Sequence, residues 1–129
     1  MKKVTLGARI FLGLIFTVFG LNGFLQFIPM PPPPPSLGNY LAALAATGFF
    51  FPVLKLTEIV VGIALLAGVF VPLSLVVLAP ITLQIFLTHA FLDPSGVGFS
   101  ILILILHGLL VKAYWPHYAQ LVKAKGEPQ

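Results

Sequence analysis

Four apolar runs, each about the thickness of a bilayer, constrain this chain more than any other feature. They extend from about Leu6 to Ile28, Val53 to Phe70, Pro72 to Leu92 and Val97 to Trp115. Each is close to the ~20 residues that carry a helix across ~30 Å of hydrocarbon. A segment in lipid must satisfy its backbone polar groups internally, so only helices and closed barrels span. Continuous apolar runs favour helices over the alternating pattern of barrel strands. Composition agrees: 59% of residues are hydrophobic and 8% charged, against about a quarter charged in soluble domains. One small aqueous core could not hide that much apolar surface. The expected fold is all-α: an integral membrane antiparallel four-helix bundle, formed by residues 1–129 as a single domain.

Residues 29–52 form a long first connection. It holds five consecutive prolines, Pro31 to Pro35, which favour a polyproline II spacer. Ser36 is placed to N-cap a short helix with Leu37, Tyr40, Leu41 and Leu44 on one face and Ala42, Ala43 and Ala46 on the other. That helix should lie at the membrane interface or cap the bundle. By contrast, Phe70-Val71-Pro72 and Asp93-Pro94-Ser95-Gly96 leave room only for tight turns. They put the last three spans antiparallel and adjacent.

Charge sets an orientation. Lys2, Lys3 and Arg9 stand at the start of the first span, and Lys112, Lys123 and Lys125 near the end of the last. The connection before Lys55 has no Lys or Arg. The positive-inside rule then places both termini in the cytoplasm and the proline loop outside. The first span reads as a retained signal anchor, being too long for a cleaved leader. Tyr114, Trp115 and Tyr118 fit an inner aromatic belt. The formal charge of +4 suits anionic lipid headgroups and not a nucleic-acid surface. With no cysteine, disulfides and thiolate metal or iron–sulfur sites are excluded.

Only three residues are acidic, and Glu58 stands inside an apolar span. A carboxylate in hydrocarbon is costly unless paired, protonated or facing water. Counted at ~1.5 Å per residue, Asn22, Glu58, Gln84 and His107 all fall roughly 8–15 Å below the outer boundary, one from each helix. Lys55, His89 and Asp93 lie just above. These seven residues form the candidate polar layer. Each has a plainer reading beside the functional one. Lys55 and Glu58 are three apart and can pair; Asp93 can organise its turn. His89 and Asp93 have i,i+4 spacing, and a hydrogen bond between them would fix the imidazole tautomer. Asn22, Gln26, Gln84 and Thr88 can be interhelical glue, and His107 a satisfied core residue. The carboxylates and histidines lack the spacing of a metal motif. P-loop, dinucleotide and nucleophile-elbow motifs are absent, and no cofactor is predicted from a motif. Quinone is the cofactor whose carbonyl such a layer could receive. Gly13 and Gly20 share a face of the first span, and Gly62 and Gly68 stand in the second; small residues there permit close helix contact. Pro80 should bend the third span and free a carbonyl near Gln84.

Several stretches together resemble the DoxX-like family of small bacterial four-helix membrane proteins. They are Leu56-Thr57-Glu58-Ile59-Val60-Val61-Gly62-Ile63-Ala64-Leu65-Leu66, Phe70-Val71-Pro72-Leu73, Leu78-Ala79-Pro80-Ile81 and His89-Ala90-Phe91-Leu92-Asp93-Pro94-Ser95-Gly96. Ala8-Arg9-Ile10-Phe11-Leu12-Gly13-Leu14-Ile15-Phe16 and Gly20-Leu21-Asn22-Gly23-Phe24 are similar to the family's opening helix. By this resemblance the family's Glu, Pro, His and Asp fall on Glu58, Pro80, His89 and Asp93. Gln84 stands where relatives often carry Asn, and Gly23 where they often carry Lys. The family takes its name from proteins associated with thiosulfate:quinone oxidoreductase. The resemblance therefore implies a redox neighbourhood in the bacterial cytoplasmic membrane. Three functional readings follow. The first is a non-catalytic accessory or assembly subunit of a membrane redox complex, without catalytic activity of its own. The second is a quinone- or lipid-binding protein using the outer polar layer. The third is a small transporter or ion-conducting oligomer. The expected partners are the lipid bilayer, redox-complex subunits and further copies of the chain.

Overall fold

The computed structural model describes residues 2–129. Five α-helices run along the chain: α1 Lys2–Leu25, α2 Pro35–Ala45, α3 Phe50–Ala67, α4 Val71–Leu92 and α5 Val97–Ala113. Single 3₁₀ turns follow at Pro94–Gly96 and Trp115–His117. Among the described residues there is no strand. α1, α3, α4 and α5 (the last with its preceding turn) are long and apolar enough to cross a membrane. No more than 28% of any of these spans is buried within the chain. The outward surface is still Leu, Val, Ile and Phe, so its solvent is lipid.

Helix ends explain where the observed spans depart from the sequence boundaries. α1 stops at Leu25, short of Ile28, because Gln26 takes a left-handed φ of 50°. Asn22 fastens that exit: its backbone carbonyl accepts from Gln26 N at 2.9 Å and its Oδ1 from Ile28 N at 2.7 Å. α3 begins at Phe50 instead of Val53, because Pro52 is tolerated in a first turn. It ends at Gly68, whose φ of 75° closes a left-handed cap, with Gly68 N and Val69 N both donating to the Ala64 carbonyl. The apolar run continues to Phe70, so hydropathy alone does not reveal this stop.

α2 places Leu37 in the interior and Tyr40, Leu41 and Leu44 half-buried, with Ala42, Ala43 and Ala46 exposed. Ser36 is not its N-cap. Pro34 and Pro35 open the helix, and Ser36 Oγ instead donates to the Leu92 carbonyl at 2.9 Å. Gln84 Nε2 donates to Tyr40 Oη at 2.6 Å. These bonds tie α2 to the C-terminal half of α4, so the helix caps that end of the bundle.

The core is Leu12 and Phe16 of α1, Leu65 of α3, Leu75 and Leu78 of α4, and Leu110 of α5. α1 packs most extensively on α3, and α4 next on α5. α3 and α4 meet less, although they are consecutive. Glycine sets the α1–α3 distance. A Cβ on Gly62 would stand 2.6 Å from Thr17 N and 3.0 Å from the Gly13 carbonyl. Tyr118 departs from the aromatic belt: it is buried, and its hydroxyl donates to the Pro72 carbonyl at 2.7 Å. Trp115 stays exposed.

Candidate functional site

Glu58 is buried in α3, and its Oε1 accepts from Lys55 Nζ at 3.2 Å. The pair lies one turn apart on the same helix. Lys55 reaches this position through Gly23 of α1. A Cβ there would come within 2.5 Å of Lys55 Cγ and 2.7 Å of Cδ. The Lys55 stem thus fills the space of the missing side chain. A cation still accompanies the carboxylate, but α3 supplies it.

His107 makes two bonds, both to α4. Nε2 lies 3.0 Å from the Leu75 carbonyl and Nδ1 2.9 Å from Thr82 Oγ1. A carbonyl only accepts, so Nε2 carries the proton; in the neutral ring the Thr82 hydroxyl then donates to Nδ1. These contacts fall on either side of Pro80. Proline lacks an N–H, so the carbonyl it releases is that of Val76, four residues back. This corrects the expectation of a freed carbonyl near Gln84. His107 therefore clamps α4 across its proline.

The other residues of the expected layer are engaged separately. Asn22 closes the end of α1, and Gln84 holds Tyr40 of α2. Among the described residues no hydrogen bond joins any two of Asn22, Glu58, Gln84 and His107. Asp93 accepts from Ser95 Oγ, organising the turn before α5. His89 Nδ1 lies 4.0 Å from Asp93 Oδ2 and is buried without a hydrogen-bond partner. The expected His89–Asp93 hydrogen bond is not formed, because the Asp93 backbone leaves the helix at φ −152°. The His89 ring packs instead against Gly96. No group of three or more metal-ligating side chains is gathered among the described residues.

Thr82 escaped the sequence reading. A register argument would have found it: Thr82 and His107 are equidistant from the Pro94–Ser95 turn, so an antiparallel hairpin puts them opposite each other. Tyr40 and Tyr118 carry no such signal, since their partners follow from tertiary packing.

Two open cavities flank the bundle. One, about 230 Å³, is an apolar groove between the first half of α3 and the middle of α4, lined by Phe49, Phe50, Val53, Leu54, Thr57 and Ile81. The other, about 440 Å³, lies at the opposite end, between the start of α1 and the end of α5. Neither is lined by Glu58 or His107.

Four membrane-length helices, a glycine-spaced α1–α3 pair and an α4 that carries Pro80 within it define a small multi-pass membrane protein. The DoxX family model matches residues 4–90, and the chain belongs to the DoxX family. Asn22, Lys55, Glu58, Gln84 and His89 fall within that match; Asp93 and His107 lie beyond it. No curated protein and no solved structure gives a significant match.

Proposed function

We propose that this chain is a non-catalytic accessory or assembly subunit of a membrane redox complex. It sits as one domain in the bacterial cytoplasmic membrane, with both termini cytoplasmic. The carrying observation is that four polar groups of the candidate layer, one from each span, have partners within the chain: Glu58 with Lys55, His107 with Thr82 and Leu75, Asn22 with Ile28, and Gln84 with Tyr40. Groups used in this way stiffen a bundle and mark helix register. The apolar exterior is free to meet lipid, partner helices or further copies of the chain. Lys55, the more exposed member of its pair, is the charge available to a neighbour.

The test is isolation from native expression levels in mild detergent after crosslinking, with respiration measured in a deletion strain. Redox subunits should be crosslinked to the chain, and substrate oxidation linked to quinone should fall on deletion. A solitary protein together with unchanged respiration would sink the reading.

Quinone or lipid binding is the second reading, favoured by the groove between α3 and α4. Its Phe and Ile lining suits a ring or an isoprenoid tail. Ile81→Trp would fill the groove; equal quinone binding by that variant and the wild type would remove this reading.

A further inference from the structure

We propose that the cleft at the terminal end of the bundle binds the headgroup of an anionic phospholipid. Lys2, Thr5, Leu6 and Arg9 recur at helical spacing and form one stripe of α1. Ala113 and Tyr114 face them from the end of α5, and together these six residues line the cleft of about 440 Å³. Two cations and two hydroxyls are the donors that a phosphate diester needs. Leu6, with the exposed Ile10 one turn further along α1, supplies an apolar wall on which an acyl chain can lie. An occupant with an anionic head and an apolar tail matches both linings.

Arg9 is the central group. Its guanidinium lies against Gly68, where a Cβ would stand 2.4 Å from one terminal nitrogen. It is therefore held beside the C-terminus of α3, whose dipole favours a cation. Its Nε is buried without a hydrogen-bond partner, and among the described residues Arg9 makes no ion pair. The fork is thus fixed by packing, and its donors are unspent. Six of the seven Lys and Arg residues lie at this end in sequence, with Glu127 the only acid there. The site is at the opposite end from the Lys55–Glu58 pair and does not depend on the subunit reading.

Trp115, the sole tryptophan, follows Tyr114 and serves as the reporter. Delipidated full-length protein in mild detergent is titrated with phosphatidylglycerol, phosphatidylcholine or inorganic phosphate, reading Trp115 emission. Phosphatidylglycerol should half-saturate at a concentration at least about tenfold below phosphatidylcholine, the scale of one charge-assisted contact. Arg9→Gln should abolish that preference, and Lys3→Gln, outside the cleft, should keep it. Three results would overturn the proposal: equal response to the two lipids, equal loss in both variants (diffuse surface charge), or saturation by inorganic phosphate at the same concentration. If Arg9→Gln does not fold by circular dichroism, Thr5→Val with Tyr114→Phe takes its place. That pair should raise the half-saturating phosphatidylglycerol concentration by at least about threefold, and unchanged half-saturation would overturn the assignment.

Discussion

His107 stands in the apolar run Ile101 to Leu110, yet both its ring nitrogens are engaged. A buried polar group left without its partner costs more than the bond itself contributes. Thr82→Val should therefore lower stability by about 0.5–1.5 kcal/mol, the range of buried and intramembrane hydrogen bonds. His107→Leu, which removes both bonds, should lose more. Thermal unfolding in detergent measures both. Tyr118 gives a second expectation, at alkaline pH. Burial, and secondarily Tyr114, pushes its phenol above the ordinary value of 10.0. The folded state thus prefers the protonated form that donates to Pro72. Its contribution is complete below pH 10.0 and is lost as pH rises through the higher folded value. Midpoints recorded between about pH 8 and pH 11 should fall at the alkaline end, and less steeply in Tyr118→Phe. The charged residues were legible because charge in an apolar run is conspicuous. The Lys55–Glu58 pair was legible in its i,i+3 spacing, and Asp93's role in its turn from the proline that follows it. The interhelical partners were not: each span is apolar on its lipid face and its core face alike, so composition does not reveal rotation. Depth counting put Asn22, Glu58, Gln84 and His107 together, but rotation sends each to a different partner.

At the scale of elements, the α1–α3 contact rests on missing side chains. Gly62→Ala would drive a methyl into the Thr17 backbone, and overpacking of this kind costs about 1–3 kcal/mol. Gly108 of α5 has open space where its Cβ would be, so Gly108→Ala should leave the midpoint unchanged or slightly raised. The two variants, compared by thermal unfolding, separate packing from propensity. All four spans were legible because length and hydropathy are read directly off the chain. Their ends were less so. Gln26 leaves α1 without a glycine to announce it, and α3 stops at Gly68 inside a continuing apolar run. α2 was read from the face shared by Leu37, Tyr40, Leu41 and Leu44. Its anchorage through Ser36 depended on Leu92, a residue 56 positions away.

The whole molecule carries six of its seven Lys and Arg residues towards one end, Lys55 being the exception, and the proposed orientation follows from that asymmetry. The chain lacks cysteine, so single cysteines report sidedness without background. In intact cells, Pro33→Cys should react with a membrane-impermeant maleimide and Gln129→Cys only after permeabilisation; the reverse pattern would invert the topology. The uneven packing of the four spans also bears on how the protein is made. α1 and α3 are drawn together through their glycines, and α4 and α5 through a tight turn and the His107 clamp. α3 and α4 pack on each other less than either of these pairs does. During synthesis the first pair is complete before α5 leaves the ribosome, and its closest contacts need nothing that follows. Two successive helical hairpins can thus enter the bilayer, the second docking on a first that has already closed.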